Sequence, residues 1–242
     1  MNDWIVPQWQ APRNVRSLIT TRCGGVSLGA YASMNLATHV GDDPDSVADN
    51  RRWLQQYLPS EPVWLQQVHG TAVARADEAG AGAVADGACT RRPGVVCAVL
   101  TADCLPVLLC SEAGTAVGIA HAGWRGLAAG IVEATVEAMQ EAPGRLMAYL
   151  GPGIGPAAFE VGDEVHRAFC EASPAAAAAF VRNGEGKWLA DLYSLARQRL
   201  AACGVASISG GGWCTHGEPE RFYSFRREGN TGRMASLIWI ES

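Results

Sequence analysis

The apolar positions of this chain fall mostly in short runs rather than in long periodic stretches. PVWLQQV (62–68), TAVARA (71–76), VVCAVLT (95–101), LPVLLC (105–110), TAVGIAH (115–121), RLMAYLG (145–151) and MASLIWI (234–240) are each bounded by turn residues and are expected to be strands. VRSLITT (15–21), rich in β-branched residues, reads as another strand leading into a Gly- and Ser-rich loop, RCGGVSLGAYASMN (22–35). Helices are expected at DSVADNRRWLQQYL (45–58), capped by Asp45 or Ser46, and at WRGLAAGIVEATVEAMQEA (124–142), closed by Pro143 and Gly144. Two more are expected at GDEVHRAFCEA (162–172) and DLYSLARQRLAACG (191–204), the latter ended by Gly204, and SPAAAAAFVRNGEG (173–186) reads as a short helix running into a turn.

Several strands follow one another before any long helix, which favours α+β over a repeating parallel βαβ fold. The expected architecture is a layered sandwich of mixed and antiparallel sheets with flanking helices. No linker-like tract or repeat divides the 242 residues, so residues 1–242 are expected to form one domain.

Composition narrows the function. The formal charge of −5 is spread out, and no block of Lys or Arg could neutralise a run of phosphates, so nucleic acid is not an expected partner. No apolar stretch reaches the roughly 18 residues of a membrane span, and the N-terminal MNDWIVPQWQAPRN lacks the features of a signal peptide. A cytoplasmic protein without membrane contact is expected; the oligomeric state is not legible. Of the eight cysteines none forms a CxxC pair, and Cys89, Cys97, Cys110, Cys170 and Cys203 sit in apolar or alanine-rich surroundings that suit small core residues.

Cys104 has different neighbours. It follows VVCAVLTAD, while His69 and His121 close two other apolar runs, so three soft-metal donors stand at strand ends. A histidine or cysteine in such a place is more often structural than ligating, and this spacing matches no compact zinc-finger pattern, so spacing alone leaves both readings open. Context favours a site: Gly70 follows His69, Asp103 precedes Cys104, and His121 leads into AGWRG.

The segments TTRCGGVS, NLATHVGDD, WLQQVHG, ADG, TADCLPVLL, AHAGWRG, GPGIGP, FEVGDEV and WCTHGEPERFYSFRREGNTGR, with the closing IW strand, resemble in order the YfiH/laccase-domain family, also called the polyphenol oxidase or peptidoglycan editing factor family. The resemblance runs from about Thr20 to Trp239. It implies a mononuclear zinc held by His69, Cys104 and His121, which are then also the catalytic centre. It further implies phosphorolysis of purine nucleosides (adenosine, inosine or methylthioadenosine) and deamination of adenosine, with a small nucleoside and phosphate as partners. Three protein ligands leave a fourth zinc position open, as catalytic sites do. The HxE…PCxxC arrangement of zinc nucleobase deaminases is absent, so any proton shuttle differs, and Asp103 and Asp86 are candidates as much as turn caps.

For phosphate, Arg22 and Arg51 are candidate ligands, with Asn35 near them on the same connection; Arg51 also fits a solvated helix face. Arg125 and the RFYSFRREGNTGR segment bring further cations, and Tyr223 and Phe225 are candidates for stacking on a purine, against ordinary core or surface roles. His39 and His216 stay outside the metal site. Two other readings compete: a copper-linked polyphenol oxidase, with copper in place of zinc on the same donors, and an amidase acting on peptidoglycan precursors through zinc or through Cys104 activated by a histidine.

Overall fold

The computed structural model describes residues 2–80 and 82–241. The run LPVLLC becomes β5 (Leu105–Ser111), an inner strand of a six-stranded sheet. Its side chains alternate between two apolar cores, Leu105, Val107 and Leu109 in one and Leu108 and Cys110 in the other. A strand buried on both faces needs no polar alternation, which is why this stretch is apolar without a break. The sheet runs β11 (Ser207–Gly210), β7 (Leu146–Leu150), β5, β6 (Val117–Ala122), β3 (Gly87–Thr90), β2 (Val73–Arg75). Its β11–β7 and β2–β3 pairs are parallel and the others antiparallel.

An antiparallel sheet of β1 (Val15–Ile19), β12 (Met234–Ile240) and β4 (Cys97–Thr101) stacks on one face of the six-stranded sheet. Ile19, Val99 and Ile238 meet Leu108, Val117 and Ile119 there. The outer face of the smaller sheet, with Leu100, Leu237 and Trp239, is covered by Met34 and Leu36 of the preceding loop and by Leu54 of α1 (Pro44–Gln55). On the far side of the six-stranded sheet lie α2 (Trp124–Ala129), α3 (Ile131–Ala138), α4 (Asp163–Cys170) and α5 (Leu192–Ala202), which contribute Leu127, Val132, Phe169 and Leu195 to its core. A third sheet, β8 (Glu160–Gly162), β10 (Lys187–Ala190), β9 (Phe180–Arg182), and the short α6 (Phe225–Glu228) complete the chain. This is the expected α+β layered arrangement of mixed and antiparallel sheets with helices outside.

Four local readings differ. PVWLQQV is extended but joins no sheet beyond the isolated bridges of Val63 to Cys97 and Gln66 to Val84. The amide side chain of Gln67 donates to Leu100 O and accepts from Leu100 N, both at 2.8 Å, taking the place a neighbouring backbone would fill on β4. The helix expected over 124–142 is broken between α2 and α3 by Gly130, at φ +103°, a left-handed conformation that glycine adopts without steric cost. The cap of α1 is Asp43, whose carboxylate accepts from Ser46 N at 3.1 Å, with Pro44 in the first helical position. The segment after Ser173 forms a 3₁₀ turn, Pro174–Ala179, running into β9.

Candidate metal centre

Strand ends and one buried carboxylate assemble the site. His121 lies within β6 opposite Pro106 of β5, buried, and Cys104 immediately precedes β5. His69 sits in the turn after the extended segment at φ +59°, a strained backbone for a residue with a Cβ. Asp86, fully buried before β3, holds that turn: its carboxylate accepts from the backbone N–H of Val68 (3.1 Å), His69 (2.9 Å) and Gly70 (2.6 Å). The same carboxylate meets His121 Nδ1 at 2.8 Å. A carboxylate accepts only, so Nδ1 carries a proton and Nε2 is the ring nitrogen left to face a ligand.

The donor atoms of His69, Cys104 and His121 all lie within 4.8 Å of one another. Tetrahedral zinc with bonds of about 2.0–2.3 Å needs donors about 3.3–3.8 Å apart, so the set is close to closing on an ion. Gly123 is packed against it, and a Cβ there would stand 2.9 Å from both Cys104 Sγ and His69 Nδ1. Burial and the neighbouring His121 push the His69 imidazole below the ordinary histidine value, keeping it neutral. For His121 burial acts downward too, but Cys104 and the Asp86 carboxylate outweigh it and raise the value, so a metal on Nε2 would take the place of a proton there. Burial acts upward on Asp86, but its bonds from His121, Gly70 and Val68 hold it below the usual carboxylate value.

The three donors open onto a cavity of about 400 Å³ whose wall includes His39, Trp124, Arg125, Phe225, Arg226 and Arg233. Arg125 and Arg233 keep free guanidinium donors: Arg125 lies 4.4 Å over the Trp124 ring, and Arg233 uses only Nη1, on Thr231 O (2.7 Å) and Gly232 O (3.0 Å), among the described residues. Phe225 is 58% exposed on this wall. Tyr223, the other candidate for stacking, is fully buried with its hydroxyl 2.5 Å from Tyr31 O, and it does not line the cavity.

Arg22, Asn35 and Arg51 are not on the cavity wall either. Arg22 donates to Ala32 O (3.1 Å), Pro219 O (2.9 Å) and Glu228 (2.8 Å), with its guanidinium 4.8 Å over the Tyr223 ring. Arg51 donates twice to Leu36 O, and buried Asn35 accepts from Arg233 N at 3.0 Å. These residues stand behind the wall and support the loops that form it. Asp103, at φ +83°, spends both oxygens on the Thr215 hydroxyl (2.6 Å), the Ser224 hydroxyl (3.1 Å) and Arg226 N (2.7 Å), so it fastens α6 to the Cys104 turn. Sequence reasoning named Asp86 without its positioning role; an acidic residue in the ADG turn was the available signal. His216 does not line the cavity.

Among the described residues no helix is long and apolar enough to cross a membrane. Over 243 aligned residues the chain is 54% identical to the purine nucleoside phosphorylase YfiH of Escherichia coli strain K12, covering 99% of this chain and 100% of that one. The crystal structure of NMB0706 from Neisseria meningitidis matches with a TM-score of 0.97 at 53% identity, over 99% of this chain and 100% of that one. YlmD from Geobacillus stearothermophilus matches with a TM-score of 0.89 at 33% identity, over 98% and 99% of the two chains. The family described as multi-copper polyphenol oxidoreductase laccase matches residues 16–241. On this span and these identities the chain belongs to that family, with YfiH among its members.

Proposed function

We propose that this protein is a zinc-dependent purine nucleoside enzyme that phosphorolyses adenosine, inosine or methylthioadenosine and deaminates adenosine. The observation that carries the reading is the joining of one His₂Cys donor set to a cavity of nucleoside size, walled by free guanidinium groups and an exposed aromatic ring. The name of the Escherichia coli relative supports the same substrate class. His69, Cys104 and His121 fit zinc by donor chemistry, by Asp86 fixing the His121 tautomer, and by the clearance at Gly123. Zinc, when bound, supplies a redox-inert Lewis acid beside the substrate.

The chain's own residues do the rest. Arg233 and Arg125 offer N–H donors to a phosphate dianion, which guanidinium binds in bidentate fashion. Phe225 offers a face for a purine to stack on. The carboxylate of Asp86 keeps His69 and His121 in place, so substrate binding does not have to order them.

A second reading, copper-linked phenol oxidation, is favoured by the family's description and by a His₂Cys set that copper also accepts. Against it, a multicopper oxidase needs several metal centres, and five histidines with one three-donor group among the described residues supply one. The deciding experiment loads the protein with zinc or with copper and assays each form with inosine or adenosine plus phosphate and, separately, with a phenol. Zinc-supported release of hypoxanthine or adenine, with phenol oxidation confined to the copper form, is the expected outcome. Rapid phenol oxidation by the copper form, with no nucleoside turnover by the zinc form, would overturn the proposal.

A further inference from the structure

His39 stands in the cavity wall on the loop of residues 35–42, and that loop is fastened from behind. Asn35 donates to Ala37 O (3.1 Å) and to the Asp42 carboxylate (2.9 Å) and accepts from Ala37 N (3.0 Å). Arg51 of α1 donates to Leu36 O at 2.9 and 2.8 Å while its guanidinium lies 4.3 Å over the Trp64 ring. The Tyr31 hydroxyl donates to Val40 O at 2.8 Å. Three anchors thus fix a short loop on either side of an imidazole that itself makes no hydrogen bond among the described residues.

The other polar groups of the wall are occupied or unsuited to proton exchange. Gln67 is spent on Leu100, Asp103 on three donors, and Arg125, Arg226 and Arg233 remain charged at any physiological pH. Outside the three metal donors, His39 is the side chain of this wall suited to take and give a proton near neutrality.

We propose that His39 is the proton-transfer residue of phosphorolysis in this cavity, an assignment that rests on the purine nucleoside reading given above. As an oxygen of the hydrogen phosphate dianion bonds C1′, the imidazole takes the proton from that phosphate. The C1′–N9 bond breaks with its electron pair on the purine. The imidazolium then returns the proton to a purine nitrogen, giving neutral base, sugar 1-phosphate and neutral His39, so that nothing beyond nucleoside and phosphate is consumed. A neutral ring is required at the start. Partial burial and the charges of Arg233 and Arg51 provide it by holding His39 below the ordinary histidine value. Asp42, the acid on the same loop, is bound by Asn35 and Ser27, and Glu61 lies toward Arg51. His69, His121, Cys104 and Asp103 line the same cavity, so their charges also enter any pH profile measured there.

The test compares wild type with His39→Asn and His39→Gln in the zinc-loaded full chain. The pH dependence of kcat and KM is measured with inosine and inorganic phosphate, alongside zinc content and thermal midpoint. A loss of about 100-fold or more in kcat is expected, the range for a general acid–base group. Little change in KM or zinc content and the disappearance of the acidic limb of the profile should accompany it. Independently of turnover, the ring-carbon NMR resonance of His39, assigned by its absence in His39→Asn, should titrate below the ordinary histidine value and move upward with inorganic phosphate alone. An unaltered pH profile with full kcat in both variants overturns the assignment, as does a His39 resonance indifferent to phosphate. Wild type that turns over no nucleoside overturns the purine reading and this assignment with it, whereas active wild type with equally active variants overturns this assignment alone.

Discussion

Asp86 and His121 are joined by a 2.8 Å hydrogen bond from imidazole Nδ1 to a carboxylate that also accepts three consecutive backbone N–H groups, those of Val68, His69 and Gly70. One buried acid therefore sets the tautomer of one candidate ligand and the backbone of another. His121 is carried by the six-stranded sheet and His69 by a turn outside it, and Asp86 is the tie between them.

Asp86→Asn replaces an acceptor-only group by one that carries N–H donors, and one of these must face the N–H groups now pointing at the carboxylate. Metal affinity should fall by about 10–100-fold, the usual cost of losing such a support behind a ligand. A chelator competition followed by elemental analysis measures it. Wild-type retention of zinc in the variant would mean that the three N–H bonds and the His121 contact do not shape the site.

Cys104→Ala and Gly123→Ala attack the same centre from two sides. The first removes a donor outright, and the second places a methyl group 2.9 Å from Cys104 Sγ and His69 Nδ1. Wild type should carry about one zinc per chain as isolated, and both variants should lose it with the fold retained by circular dichroism. Full zinc occupancy in Cys104→Ala would remove that residue from the centre.

Glu228 gives a pH dependence of known sign. Burial pushes its carboxyl up, but bonds from Thr231, Arg22 and Arg227 and the charge of Arg22 outweigh that and hold it at about 2, against an ordinary 4.5. A depressed folded value stabilises fully above pH 4.5 and loses that contribution as pH falls toward 2. Between these values the unfolded chain binds the extra proton, so stability should rise with pH by at most about 1.4 kcal/mol per pH unit from this group. Urea midpoints between pH 5 and pH 3 should fall less steeply for Glu228→Gln than for wild type. Parallel slopes would show the network to be neutral.

The strands of the sandwich were legible because both-face burial leaves an apolar run, as in LPVLLC, and the end of α5 because Gly204 marks it; the start of α1 was set too late, since Asp45 and Ser46 are cap-type residues but Asp43 ahead of Pro44 takes that place. Metal donors at strand ends, and cations and aromatics gathered by WRG and the FRREGNTGR segment, were also visible in the chain. PVWLQQV misled because Gln67 bonds to β4 through its side chain, which period-2 patterning cannot register. β3 (GACT) passed unnoticed because glycine and alanine carry little strand signal, although it is paired on both sides. Arg22 and Arg233 look alike in sequence, each beside a glycine-rich turn. What separates them is which carbonyls and carboxylates surround each guanidinium, and only the tertiary fold supplies those.

That difference makes the last prediction. Arg22 spends Nε on Ala32 and Nη1 on Pro219 and Glu228, away from the cavity wall, whereas Arg233 uses Nη1 alone on Thr231 and Gly232 and lines the cavity. Losing a charged contact to phosphate costs about 1.5–3 kcal/mol, roughly a 10- to 150-fold change. Arg233→Ala should therefore raise the KM for phosphate by that factor while leaving zinc occupancy and adenosine deamination, which needs no phosphate, close to wild type. Arg22→Ala should act differently. It unties Glu228 and the segment around Tyr223, so the thermal midpoint falls and both reactions weaken together. Phosphate titrations and deaminase assays on the two variants, run beside melting curves, separate a ligand to phosphate from a support behind the wall. A phosphate-specific defect in Arg22→Ala with a normal melt, paired with an unaffected Arg233→Ala, would reverse the roles assigned to these two arginines.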